Sequence, residues 1–114
     1  MRLLLKTTLF FCLLLISGRM YSQFVGSMAG SIVSGTVDAT GPLAGFYYPA
    51  GVCCDAAGNV YVADQYNHKI RKVSPGGAVT TIAGSGSAGA TDATGSLASF
   101  NRPYSICMDG AGNF

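Results

Sequence analysis

Apolar residues along positions 51–83 come in short runs, each too brief for a helix and each closed by turn-forming residues. The clearest run, Val60-Tyr61-Val62-Ala63-Asp64, is rich in the β-branched and aromatic side chains that suit a pleated surface. Before it, Gly51-Val52-Cys53-Cys54 predicts a strand that ends in Asp55-Ala56-Ala57-Gly58-Asn59, where Gly58 supplies the positive φ of a tight hairpin. After it, residues 65–68 turn the chain, with Asp64 and Asn67 placed to bond the local backbone. Lys69-Ile70-Arg71-Lys72-Val73 predicts a third strand, more polar and therefore expected to be more exposed. Ser74-Pro75-Gly76-Gly77 is a further turn, and Ala78-Val79-Thr80-Thr81-Ile82-Ala83 predicts the fourth strand. Turns this tight impose antiparallel pairing, so the unit reads as a four-stranded meander and the fold class as all-β.

The same pattern returns. Residues 29–60 align with residues 83–114 at a constant displacement of 54 without a gap, and roughly half of the letters agree. Ala29-Gly30-Ser31, Gly35, Asp38-Ala39-Thr40-Gly41, Leu43-Ala44, Phe46, Pro49, Cys53, Asp55 and Ala57-Gly58-Asn59 recur. Their second copies are Ala83-Gly84-Ser85, Gly89, Asp92-Ala93-Thr94-Gly95, Leu97-Ala98, Phe100, Pro103, Cys107, Asp109 and Ala111-Gly112-Asn113. A supersecondary unit repeated with this period must stack on neighbours to bury its apolar faces, which points to a β-propeller blade. The glycine-rich connection after the fourth strand holds one apolar cluster, Leu97, Ala98 and Phe100. It is expected to form a short turn packed between blades, as are Leu43, Ala44 and Phe46, with Phe46 and Phe100 in equivalent buried sites. A last strand of a preceding blade is expected over residues 24–29, and the chain stops inside the second strand of the following one.

The N-terminus belongs to another class of segment. Arg2 and Lys6 precede the apolar run of residues 9–16, followed by small and polar residues, which is the layout of a secretory signal; the run is too short to span a bilayer. Cleavage is expected between Ser22 and Gln23, with a site near Gly18 as the alternative. Phe11 before Cys12 argues against a lipoprotein. Losing Arg2, Lys6 and Arg19 with the signal turns the formal net charge from +2 to −1. Lys69, Arg71, Lys72 and Arg102, interspersed with Asp38, Asp55, Asp64, Asp92 and Asp109, make no nucleic-acid footprint, and the strand face carrying Lys69 and Arg71 is expected to be solvated. A secreted protein, extracellular or periplasmic, follows, with no membrane association once the signal is removed. Cys53, Cys54 and Cys107 are expected as buried thiols; a Cys53 to Cys107 bridge, or pairing with a further part of the chain, is the other reading.

Pro49-x-Gly51-Val52 to Asp55-x-x-Gly58-Asn59-Val60-Tyr61-Val62-Ala63-Asp64, then Asn67-His68-x-Ile70-Arg71 and Val79-x-Thr81-x-Ala83-Gly84, closely resemble the NHL repeat, named for its Asn-His-Leu triplet. Lys69 stands where the triplet has Leu. The resemblance covers nearly all of the chain after the signal and implies a six-bladed propeller. The domain reading is then a signal over residues 1–22 and a propeller fragment over residues 23–114. Within the fragment, residues 23–48 are the end of one blade and a linker, 49–84 a complete blade, and 85–114 a linker and the start of the next. The remaining blades would come from a longer chain or from assembly with other chains. In this reading Asp55, Gly58, Asn59, Asp64, Asn67, His68, Asp109 and Gly112 are structural signature residues.

Candidate chemistry is sparse. Gly84-Ser85-Gly86-Ser87-Ala88-Gly89 fits G-x-G-x-x-G, but a phosphate site also needs a helix opening at the last glycine, and a flexible linker is the better reading. His68 is the only histidine and there is no Glu, so neither a His cluster nor a His-supported nucleophile can be assembled. Asp55 and Asp109 most simply satisfy turn amides. Asp38-Ala39-Thr40-Gly41 and its second copy lack the dense carboxylates of a calcium loop. No catalytic, metal or cofactor-binding residue is assigned. Tyr47, Tyr48, Tyr66 and Tyr104 are candidate contacts for a protein or glycan ligand, with packing between blades as the competing role. The functional expectation is a binding scaffold. The alternative, implied by the resemblance, is the N-terminal part of a propeller enzyme, a lactonase-like hydrolase or a lyase with a metal in its channel.

Overall fold

A computed structural model describes residues 27–114; the expected signal, Cys12, the Gln23 cleavage point and residues 24–26 of the expected first strand lie outside them. Four strands, β1 (Pro49–Cys54), β2 (Val60–Asp64), β3 (Lys69–Val73) and β4 (Val79–Ala83), form one open antiparallel sheet in the order β1-β2-β3-β4. Among the described residues the only helical turns are short 3-10 segments at Gly41–Leu43, Gln65–Asn67 and Gly95–Leu97. The meander has the form of a propeller blade.

The register explains how one sheet presents two surfaces. Cys54 pairs with Val60, Val60 with Val73, and Val73 with Val79, so these side chains share a face with Val62 and its partner Val52. On that face Val60, Val62, Val73 and Val79 form a core with Ala29, Ala44 and Phe46, so the first linker roofs the sheet. The other face carries Tyr61 and Ala63, opposite Lys72 and Ile70. β2, in the middle, is buried along its whole length.

The repeat in sequence is a repeat in space. In the first linker Gly30 donates to the Gly41 carbonyl at 3.0 Å, Ser31 to Ala44 at 2.7 Å, and Gly35 to Phe46 at 3.0 Å. In the second, Gly84 donates to Gly95 at 3.0 Å, Ser85 to Ala98 at 2.8 Å, and Gly89 to Phe100 at 3.0 Å. Gly41 and Gly95 turn the chain with φ of 58° and 59°, which glycine adopts without penalty. The hairpin turn recurs as well. Asn59 donates to Asp55 Oδ1 at 2.8 Å, and Asn113 to Asp109 Oδ1 at 2.8 Å.

Several expectations are corrected. Residues 27–29 form no strand, and residues 103–114 pair with no second strand among the described residues; residues 104–106 instead run close beside β1, where a Cβ on Gly51 would lie 2.7 Å from Ser105 Cα. Leu43 and Leu97 are 75% exposed, because each 3-10 turn directs the alanine that follows it, not the leucine, into the packing. Phe46 is fully buried, whereas its counterpart Phe100 is half-buried. The thiols are not all buried: Cys53 is half-buried and Cys107 exposed, both free, while Cys54 is disulfide-bonded. Burial, with Cys107 and Asp55 nearby, pushes the Cys53 thiol up. Arg71, expected in solvent, is among the most deeply buried side chains of the chain.

Candidate binding surface

A buried charge network sets the geometry at one end of the sheet. Asp64 closes β2 and is fully buried; Arg71 on β3 is buried beside it. The Arg71 guanidinium donates to Asp64 Oδ2 and to Asp38 Oδ1, both at 2.7 Å, and to the carbonyls of Gly45 and Val37, both at 3.0 Å. Its Cζ lies 5.2 Å from the Phe46 ring centroid. A buried ion pair is sustained only when further hydrogen bonds compensate the lost hydration, and here two backbone carbonyls supply them. Among the described residues, Arg71 Nε is the one buried side-chain polar atom with no hydrogen-bond partner. This is why a charged side chain sits in the core: it ties the first linker to the sheet.

The same network orients the tyrosines. Asp64 Oδ1 accepts the Tyr47 N–H at 2.8 Å, and Asn67 Nδ2 donates to Asp64 Oδ2 at 2.8 Å and to the Gly35 carbonyl at 2.6 Å. Tyr66, in the 3-10 turn after β2, donates its N–H to the Tyr47 carbonyl at 3.0 Å. The Tyr47, Tyr48 and Tyr66 rings therefore converge, with centroids 5.6 Å (Tyr47 and Tyr48), 5.2 Å (Tyr47 and Tyr66) and 4.8 Å (Tyr48 and Tyr66) apart at tilted angles. All three remain exposed. His68 follows with φ 55°, and its Nδ1 accepts the Arg102 N–H at 3.0 Å, with the Arg102 guanidinium over the Tyr66 ring, 4.9 Å from its centroid. Tyr48 and Arg102 are one repeat apart and share a left-handed backbone, φ 51° and 52°. Tyr66 thus lies between equivalent residues of two successive linkers.

Of the four candidate tyrosines, three are brought together and Tyr104 stands apart, 73% exposed and without a ring contact among the described residues. Asp55, Gly58 and Asn59 build the hairpin turn between β1 and β2, at the far end of β1 from the tyrosines, and Asp109 and Gly112 build a turn of the same form in the second repeat. Burial pushes the Asp55 carboxyl up, but hydrogen bonds from Asn59 and Tyr61 outweigh it and hold it below the usual carboxylate value; those from Asn113 do the same for Asp109. The glycine-rich loop is not followed by a phosphate-binding helix; Gly84 is a close-approach glycine pressed against the backbone of His68 and Lys69. Among the described residues no three His, Cys or Asp side chains gather as a metal site.

Sequence reasoning missed the roles of Arg71, Asp38 and Arg102. The unchanged recurrence of Asp38 as Asp92 was a signal for Asp38, since a short loop rarely needs an aspartate at one fixed place in every copy. For Arg102 there was no signal, because its approach to Tyr66 depends on a backbone angle.

Residues 46–73 match the NHL repeat family, and the match covers all of β1, β2 and β3. Residues 46–73 are an NHL repeat. Beyond it, the chain is 40% identical over 77 residues to human NHL repeat-containing protein 2, and the aligned region covers 65% of this chain and 11% of that protein. Among solved structures, it is similar to a Bacteroides thetaiotaomicron protein of unknown function, with TM-score 0.70 and 34% identity over 77% of this chain and 23% of the other. It is also similar to an auxiliary nutrient binding protein of Bacteroides ovatus, with TM-score 0.65 and 27% identity over 75% of this chain and 24% of the other. The chain spans 6% to 11% of the length of the curated relatives it matches and about a quarter of these structures, so its NHL repeat corresponds to one part of each. Within the NHL repeat, Asp64, Asn67 and Arg71 are the clamp residues, and Tyr47, Tyr48 and Tyr66 are what the clamp holds outward.

Proposed function

We propose that this chain supplies one complete NHL blade and parts of two neighbours to the propeller of a longer, exported protein, and that the propeller is a binding scaffold for a protein or glycan ligand. In this reading residues 1–22 are the export signal, residues 23–48 and 85–114 belong to flanking blades and linkers, and residues 49–84 are the whole blade. The observation that carries the function is the convergence of three exposed tyrosines on an internally satisfied frame. Rigid aromatics offer large contact area at low entropic cost, and nothing in their own packing requires all three rings at the surface. The likeness to auxiliary nutrient binding proteins of Bacteroides species supports both ligand binding and a place outside the cytoplasm. No helix among the described residues is long and apolar enough to cross a membrane.

The test uses the full-length protein with its signal, produced in a bacterial host, and printed glycan and displayed-peptide libraries. Intact mass of exported protein beginning at Gln23 is the expected outcome for the signal. Tyr48→Ala with Tyr66→Ala should abolish at least nine-tenths of the retained library signal while leaving the thermal midpoint within a degree or two, because both side chains are exposed. Retention unchanged in the double variant overturns the assignment of this surface.

A further inference from the structure

The surface around Tyr66 has a definite charge, and this gives the proposed scaffold a definite ligand class. Arg102 is exposed, and none of the five carboxylates of the chain forms an ion pair with it. Asp64 is buried and committed to Arg71, and Asp38, though exposed, is paired with the same Arg71 guanidinium. Asp55 binds its own turn beyond the other end of β1, which for a six-residue strand is about 20 Å away, and Asp109 is taken up by its own turn with Ala111 and Asn113. Asp92 has no ion pair either. The tyrosine end of the blade therefore offers a guanidinium whose charge is unanswered within the chain.

What else the surface offers decides between kinds of anion. An acidic peptide recognised by its backbone needs free N–H and C=O groups. Here three of the N–H groups are already used, and they are not aligned as a strand edge: Tyr47 donates to Asp64, Tyr66 to the Tyr47 carbonyl, and Arg102 to His68. What remains outward is three tilted rings, a guanidinium held over Tyr66, and phenol hydroxyls of Tyr47, Tyr48 and Tyr66 that have no hydrogen-bond partner among the described residues. Rings take the C–H faces of a pyranose, phenols exchange hydrogen bonds with its hydroxyls, and a guanidinium pairs bidentately with a carboxylate. We infer that the seam between consecutive blades, at Tyr48, Tyr66 and Arg102, binds a carboxylated saccharide, an oligomer of uronic acid units, with Arg102 as the residue that selects the acid over its neutral counterpart. The inference rests on the binding-scaffold reading.

Calorimetry on the full-length protein tests it, with oligogalacturonate, oligomannuronate and an oligosaccharide containing glucuronate as probes. The fully methyl-esterified oligogalacturonate, which keeps the ring and loses the charge, and a poly-glutamate peptide are the comparators. The expected result is that at least one uronate oligomer binds, at least tenfold tighter than the methyl ester or the peptide, and more weakly as salt is raised. Arg102→Gln should weaken uronate binding about ten- to a hundredfold, down to the level of the methyl ester, so that acid and ester bind alike; Arg102→Lys should retain part of the preference, and Tyr66→Ala should weaken both saccharides. Thermal midpoints of the variants check that the fold is intact. Failure of all three uronates, equal binding of acid and ester, or tighter binding of poly-glutamate overturns the inference. Binding of a neutral saccharide or a peptide that still depends on Tyr48 and Tyr66 would overturn the charge argument while the scaffold reading stands; ligand binding indifferent to both tyrosines would remove the two together.

Discussion

Arg71 and Asp64 show how one charge pair organises residues distant in sequence. With both side chains fully buried, removing either partner strands the other in a poorly hydrated place. Asp64→Ala or Arg71→Ala in the full-length protein should each cost about 3–5 kcal/mol, read from denaturant midpoints, while the double variant should cost clearly less than the sum. Additive losses would mean that the two side chains do not act as a pair. Asp38 gives the same network a pH dependence. Burial pushes its carboxyl up, but hydrogen bonds from the Thr81 N–H and hydroxyl and the Arg71 guanidinium outweigh burial and hold it below the ordinary carboxylate value. A carboxylate depressed in the folded state contributes stability that is present above its unfolded pKa, about 4, and is lost as pH falls through the folded value. Asp38→Asn should therefore flatten the acid limb of the stability curve below about pH 4. A limb as steep as in the parent protein would assign acid sensitivity elsewhere, with Asp55, depressed in the same sense, the next candidate.

At the scale of elements, the two linkers are built alike and bear different loads. Phe46 closes the core against Val60 and Val62, whereas Phe100 is half-buried. Phe46→Ala should cost about 3–5 kcal/mol and Phe100→Ala distinctly less, unless a following blade covers Phe100 to the same depth in the full-length protein. Equal denaturant midpoints for the two variants would report such a cover. Much of this level was legible from residue order. β2 and β3 fall on the residues expected, β1 starts two residues earlier at Pro49, and β4 starts one residue later at Val79. Hairpin chemistry and β-branched runs are local, so a local reading finds them. The burial of Arg71 was not legible, because a Lys-x-Arg-Lys strand looks solvated until the carbonyls of Val37 and Gly45 arrive from another part of the chain. The tyrosines could be chosen as exposed aromatics beside turns, but their convergence follows from a buried aspartate that holds Tyr47.

For the whole molecule, an open sheet with β1 and β4 at its edges leaves backbone groups for other chains to pair with. Residues 23–114 expressed alone should accordingly associate in a concentration-dependent way in light scattering, with amide protection concentrated in β1 to β4. A cooperative, concentration-independent melt of a monomer would contradict this. The seam and the charge clamp are joined at this scale: the clamp binds the first linker to the sheet and, through Asp64, holds the Tyr47 backbone from which the tyrosine cluster is built.

The left-handed backbone shared by Tyr48 and Arg102 has a practical consequence. Most side chains with a Cβ are uncomfortable at positive φ by about 1 kcal/mol; Gly escapes the penalty and Asn tolerates it better than most. Selection for heat resistance alone, by directed evolution or by consensus choice, would favour Asn or Gly at both places and would return a sturdier protein with a blank outer seam. Anyone improving this protein for the bench should hold residues 48 and 102 constant, since the gain at those positions would be drawn from whatever the protein holds on to.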